Sequence, residues 1–121
     1  MSRGTYIANF KPDHKRVLDD LLLTHPQVHA GKMFGFPAYY VGKKLCICLY
    51  EQGVGIKVPA ETAARLLESD PNVTPFMPLG RPKMREWIQI NLARSEEYAQ
   101  YTPVFTESID YVLSQQANVG A

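Results

Sequence analysis

Basic and aromatic side chains are interleaved in two segments of this chain. The combination suits a nucleic acid, because cations bind backbone phosphates and aromatic rings stack on bases. In 32–57 the lysines are opposed by Glu51 alone, and in 80–94 the basic residues are opposed by Glu86 alone. If these segments are neighbouring strands, their side chains form one patch at the end of a sheet. The candidate binding residues of this patch are Lys32, Phe34, Lys57, Arg81, Lys83, Arg85 and Trp87.

The same residue types also have a purely structural explanation. Lysines along a sheet edge prevent aggregation, and aromatic residues fill the space between paired strands. Arg81 fits this explanation least well, because Gly80 and Pro82 place it in a stiff loop that presents its guanidinium at little entropic cost. Both interpretations stay open.

Catalytic chemistry has less support than binding. The sequence contains no convergent set of acid, base and nucleophile. His14, His25 and His29 have no acidic or cysteine partner at the spacing of metal ligands, and we expect them to be exposed or in turns. The glycines of 53–58 lead into a strand, so they do not predict a phosphate-binding loop. We therefore expect a protein that is not an enzyme and that has no catalytic residues and no cofactor.

The two cysteines, Cys46 and Cys48, are separated by one residue in the apolar stretch 45–50. On a strand they point to the same face, where adjacent positions are poorly placed for an unstrained disulfide. We expect both to be reduced and buried, as in a cytoplasmic protein. A C-x-C pair can be half of a metal site, but neither a second pair nor two histidines complete it, so no metal is predicted.

Length and composition indicate one globular domain over 1–121, with 1–11 as a loose lead-in. The chain has 45% hydrophobic and 21% charged residues, enough for a packed core. A net charge of +1 does not favour a nucleic acid, a membrane or an acidic substrate, so any such partner needs a local patch. The first residues lack the apolar stretch of a secretory signal, and no run is long enough to span a membrane. These features also predict a cytoplasmic protein without a membrane partner.

Hydrophobic periodicity predicts an α+β domain, an antiparallel β-meander sheet with helices packed on it in the order helix–meander–helix–strand–helix. Helices are predicted at 12–24, 60–70 and 102–116, with a helical turn or two at 95–101. The predicted strands are 28–36, 38–41, 44–51, 54–58, 73–77 and 84–91.

The strand 44–51 is apolar on both faces, with Leu45, Ile47 and Leu49 on one and Cys46, Cys48 and Tyr50 on the other. A sheet with one solvated face would alternate apolar and polar residues instead. We therefore expect the second face to be covered, by the C-terminal helices or by a second copy of the chain. A homodimer is the preferred version.

Four short motifs occur in order: KMFG at 32–35, YVGKK at 40–44, GIKV at 55–58, and F-x-P-x-G-R-x-x-M-x-x-W from Phe76 to Trp87. Together they resemble the TfoX N-terminal-domain family, which is named for a bacterial competence regulator. The resemblance covers about 30–95. The small α+β proteins of the YjbR type are similar more distantly.

The resemblance implies a compact α+β domain, often dimeric and without an established catalytic activity. Its motif residues transfer only as fold markers, Gly35 for a backbone kink, Gly80 for a turn and Trp87 for packing. In longer regulators of the family this domain is joined to a helical C-terminal domain, which we do not expect here. We therefore do not expect competence regulation or DNA binding that needs both domains.

Taken together, these features predict a non-enzymatic cytosolic interaction or regulatory domain that associates with itself. The alternative is a nucleic-acid-binding module that uses the basic and aromatic patch.

Overall fold

The computed structural model describes residues 9–119. Most of the predicted lead-in, 1–8, lies outside the described residues. Its last part is attached to the sheet: Phe10 forms a parallel bridge with Glu51, whose N–H donates to the Asn9 carbonyl over 2.7 Å.

The described chain forms three α-helices and one six-stranded antiparallel sheet, which confirms the predicted α+β class. The helices are α1 (Pro12–Leu22), α2 (Ala60–Ser69) and α3 (Thr102–Val119), and 3-10 helices occur at Pro78–Gly80 and Ser95–Tyr101. The strands are β1 (Val28–Met33), β2 (Phe36–Val41), β3 (Lys44–Tyr50), β4 (Gly53–Lys57), β5 (Val73–Pro75) and β6 (Trp87–Ile90). In the sheet they are ordered β1-β2-β3-β4-β6-β5.

The three helices and the second 3-10 helix share one large hydrophobic core with one face of the sheet, which we call the helix face. Leu18, Leu66 and Ile109 are helical members of this core, and they are packed with strand residues such as Ile47 and Ile56. Burial of these apolar side chains is the main force that holds the helices on the sheet. We call the opposite side of the sheet the open face.

A β-bulge corrects the predicted faces of β3. Tyr39 is paired with Ile47 and Tyr40 with Leu45, so Cys46 is an extra residue on β3. An extra residue shifts the alternation by one, so Leu45 belongs to the open face with Cys48, and Cys46 belongs to the helix face. The prediction that both cysteines share a face is wrong.

The C-terminal helix does not cover the open face, contrary to one of the two predicted arrangements. In α3, Phe105, Ile109 and Val112 are buried in the core of the helix face. The predicted start of β6 at Met84 is also wrong. The Trp87 N–H donates to the Met84 carbonyl over 3.3 Å, so the chain turns there before the strand begins. Within residues 9–119, no helix combines the length and apolar character needed to cross a membrane.

A candidate binding cleft on the open face

Aromatic rings, rather than a helix, cover the middle of the open face. Phe36 lies 4.7 Å from Tyr50 between ring centroids, Tyr50 lies 5.6 Å from Phe76, and Phe76 lies 5.4 Å from Trp87. These spacings are those of favourable aromatic pairs. The rings form a continuous row across β2, β3 and β6 above the buried thiol of Cys48.

The chain between β5 and β6, residues 76–86, crosses this face, and we call it the strap. Its first residue, Phe76, packs directly on Gly55 of β4, where an added Cβ would lie 2.8 Å from the ring. Glycine in a strand interior is typical of such a close approach. The Leu79 N–H donates to the Tyr50 hydroxyl over 2.9 Å, so the strap is held at a second point.

A cleft of about 270 Å³ remains between the strap and the end of the β1–β2 hairpin. An apolar cavity of about 150 Å³ is large enough for benzene, so the cleft has room for one large apolar side chain. Its lining is apolar apart from one arginine. The lining residues are Met33, Phe34, Leu45, Phe76, Pro78, Arg81, Met84 and Trp87.

Two large apolar residues beside the cleft are exposed and have strained backbones. Phe34 is 59% exposed with φ of 50°, and Leu79 is 45% exposed with φ of 54°. Positive φ is uncommon for residues other than glycine, and such strain is concentrated at functional sites.

Phe34 breaks the local sequence rule for its turn. Phe34 and Gly35 connect β1 to β2 as a two-residue hairpin loop, and both have positive φ, as a type I′ turn requires. Asparagine or aspartate is the preferred first residue of this turn. A phenylalanine with its side chain in solvent does not help the hairpin to fold, which favours a role in binding.

Among the described residues that line the cleft, Arg81 is the only charged one. Its side chain is exposed, and none of the ion pairs found among residues 9–119 includes it. The one acid of the strap, Glu86, already lies 3.8 Å from the Lys57 ammonium and accepts a 2.7 Å hydrogen bond from the Tyr111 hydroxyl. The cleft therefore has an apolar floor and an uncompensated positive charge.

The structure brings together three of the seven candidate binding residues, Phe34, Arg81 and Trp87. The other four are not in the lining of the cleft, although Lys57 is the strand neighbour of Trp87 and Arg85 lines a shallow depression with Met84 and Trp87. Alternation along β1 directs Met33 to the open face and Lys32 away from it, and Lys57 is paired with Glu86. Lys83 and Arg85 line a separate depression beside α2, with Ala60, Ala64 and Leu67.

Sequence reasoning missed the apolar part of the lining: Met33, Leu45, Phe76, Pro78 and Met84. All but Pro78 are ordinary core residues by type, and nothing in the local pattern indicates that they border a cleft. One signal was available in Gly55, because a glycine within a buried strand predicts a ring or a backbone close by.

The thiols and histidines take no part in the cleft. Burial raises the pKa of Cys48 to about 12 and that of Cys46 to about 11, so both stay protonated and are poor nucleophiles at neutral pH. His14 is buried, so the prediction of an exposed or turn position is wrong for this histidine. Among the described residues, no three His, Cys, Asp or Glu side chains are grouped to hold a metal.

No family model, no curated protein and no solved structure matches this chain. The resemblance to the TfoX N-terminal-domain family therefore stays a prediction from motifs, and function has to be argued from the cleft itself.

Proposed function

We propose that this chain is an interaction domain that binds a segment of another protein through the cleft on its open face. The observation that carries the proposal is an apolar cleft of about 270 Å³ beside Phe34, a side chain that is 59% exposed on a strained turn. A docking segment that places one large apolar side chain in the cleft would bury both surfaces. Exposed apolar patches of this kind are typical of interaction sites.

The charge of the cleft favours a different protein over a second copy as its occupant. In a two-fold dimer centred on the cleft, the same patch of both copies meets itself. Two Arg81 charges would then be brought into one interface, and no acid among the described lining residues would compensate them. Self-association, predicted from the sequence, would have to use another surface.

The proposed place of action is the cytoplasm. Both cysteines are free thiols in the structure, and unpaired cysteines are typical of reducing compartments. We assign no chemical step to the domain, because binding alone accounts for the cleft.

The test is a selection of random peptides on the wild-type domain, followed by titration of the selected peptides. Trp87 is the single tryptophan and lines the cleft, so its fluorescence reports occupancy without a label. Phe34→Asn should weaken binding roughly tenfold, the size expected for an aromatic anchor. It should leave stability unchanged or raise it slightly, because asparagine suits the turn.

The matched control is Leu23→Asn, which removes a different exposed apolar side chain. Leu23 is 41% exposed, directly follows α1 and does not line the cleft. This substitution should not change the affinity of the peptides. If no selected peptide changes Trp87 fluorescence and responds to Phe34→Asn, the cleft is not a protein-binding site. A light-scattering mass of twice 13.7 kDa that falls in Phe34→Asn would instead assign the cleft to a second copy.

Nucleic-acid binding, the alternative predicted from the sequence, has weaker geometric support because its basic residues lie in separate places. We expect only weak binding of single-stranded and duplex DNA, reduced equally by Arg81→Ala/Lys83→Ala and by a control, Lys43→Ala/Arg65→Ala, at other exposed positions. A salt titration measures this. Steeply salt-dependent binding that only the first variant removes would favour the nucleic-acid module instead.

A further inference from the structure

We infer that the partner segment carries an aspartate or glutamate beside its apolar anchor, and that Arg81 binds this carboxylate. The inference rests on the proposed function and adds the chemistry of the partner. It depends on three properties of Arg81: its place in the lining, the hydrogen bond that holds its backbone, and the lack of an acidic partner among residues 9–119.

The backbone that carries Arg81 is held in place. The Arg81 N–H donates to the Pro78 carbonyl over 3.0 Å, and Pro78 is buried in the strap. The next residue, Pro82, restricts the chain on the other side. Because the backbone is already ordered, an incoming carboxylate has only the arginine side chain to immobilise, which reduces the entropic cost of binding.

The guanidinium has the donors and the surroundings to select an acid. Its five N–H groups are arranged to bind a carboxylate with two parallel hydrogen bonds. Apolar side chains make up the rest of the cleft lining, and a charge pair is stronger where such side chains exclude water. An aspartate or glutamate next to the anchor would therefore be preferred over a neutral residue, and a lysine or arginine would be repelled.

The other cations of the strap should act differently. Lys83 lies beside α2, and Arg85 lies between α2 and the outer side of Trp87; neither lines the cleft. We therefore expect both to add to the positive field around the strap without contacting the anchor. Charges outside the contact change mainly the rate of association and its salt dependence. This contrast separates a specific role of Arg81 from a general effect of positive charge.

The experiment uses random peptides with blocked ends, selected on the wild-type domain, on Arg81→Gln and on Arg81→Glu. The wild type should enrich an apolar residue with Asp or Glu close by. Arg81→Gln should keep the apolar residue but lose the acidic one, and Arg81→Glu should enrich Lys or Arg in its place. For one acidic peptide, Arg81→Gln should weaken binding about two- to fivefold, whereas Lys83→Gln should change it by less than about twofold at physiological salt.

The outcomes distinguish this inference from the proposed function. Peptides that share an apolar anchor and respond to Phe34→Asn, but show no acidic preference on the wild type, would overturn the role of Arg81 and leave the cleft as a binding site. An acidic preference that persists in Arg81→Glu would also overturn it. If no peptide depends on Phe34, both proposals fail.

Discussion

The two faces of the sheet are covered in different ways. On the helix face, α1, α2 and α3 are packed over side chains such as Ile47 and Ile56, which are fully buried. On the open face a row of four aromatic rings and the strap cover the strands, and several of the surrounding side chains are only partly buried. The first arrangement fills its core, whereas the second leaves the cleft.

This difference suggests that the helix face mainly stabilises the fold, whereas the open face mainly provides the binding surface. A closely packed core makes most of the folding free energy, and it tolerates little change in volume. A face covered by a strap and rings needs less complementarity, so it can keep exposed apolar groups such as Phe34 and Leu79 for a partner. Substitutions on the helix face should then change mainly the stability of the fold, and substitutions on the open face should change mainly the affinity for a partner.

The largest effect is expected from a matched pair of substitutions on β3. Ile47 is fully buried on the helix face, and Leu45, two residues earlier, is partly buried at the cleft. Ile47→Ala should lower the free energy of unfolding by about 2–5 kcal/mol through lost burial and a cavity. Leu45→Ala should cost roughly 1 kcal/mol, because the wild-type side chain is already partly in solvent. Urea denaturation measures both.

Peptide affinity should show the opposite order for Ile47→Ala and Leu45→Ala. At a temperature where both variants are folded, Leu45→Ala should weaken the selected peptides and Ile47→Ala should not. Equal losses of stability in the two variants would show that the open face is as closely packed as the helix face.

A smaller effect is expected at Gly55, the contact that holds the strap on the sheet. A Cβ at this position would lie 2.8 Å from the buried Phe76 ring, so Gly55→Ala should push the ring outward. Overpacking of this kind costs about 1–3 kcal/mol. Phe76 contacts Trp87, so the displacement should also change tryptophan fluorescence and peptide affinity.

The control for Gly55→Ala is Gly80→Ala in the strap. An added Cβ there meets nothing within 4 Å, although its φ of 77° makes alanine unfavourable. It should destabilise the protein without moving the Phe76 ring, so the Trp87 emission of the folded state should stay as in the wild type. An unchanged emission in Gly55→Ala would show that the strap does not rest on Gly55.

The sequence predicts the fold better than the site, for physical reasons. Helices and strands follow from hydrophobic periodicity and from prolines such as Pro12 and Pro26, which act locally. The bulge at Cys46 depends on the register between β2 and β3, which no local pattern specifies. One extra residue exchanged the faces of Leu45 and Cys46, and with them part of the cleft lining.

Residue types indicate charge and exposure, so the sequence points to some of the residues that line the candidate cleft, but not to their arrangement. The sequence predicts that Arg81 is a loop residue that core packing does not explain, and in the structure it is an exposed loop residue in the lining of the cleft. Lys32 was grouped with it, but the alternation of β1 directs Lys32 away from the open face. The path of the strap decides which side chains meet, and that path follows from tertiary contacts such as the one between Phe76 and Gly55.

The smallest effect is expected from His14, which tests whether the helix face tolerates a polar group. Neither imidazole nitrogen has a hydrogen-bond partner among the described residues, and the ring lies 4.8 Å from that of Tyr98. Burial lowers the pKa of His14 below 6.5, and the charge of Lys11 adds to this, whereas Asp13 and the nearby Leu92 backbone oppose it. At neutral pH the imidazole of the folded protein is therefore neutral.

Stability should therefore fall on acidification. Because the folded pKa lies below the unfolded one, the contribution of His14 is complete above about pH 6.5 and is lost as the pH falls, when the unfolded chain binds the proton more readily. Urea midpoints at pH 7.5 and 5.5 should differ less in His14→Phe, which keeps a ring against Tyr98, than in the wild type. His25 and His29 are present in both proteins, so any contribution they make to the change of the urea midpoint is the same in both. An equal change of the urea midpoint in both proteins would mean that the core of the helix face accommodates the charged imidazole. The two faces would then differ only in how closely their side chains are packed, and not in how well they tolerate a charge.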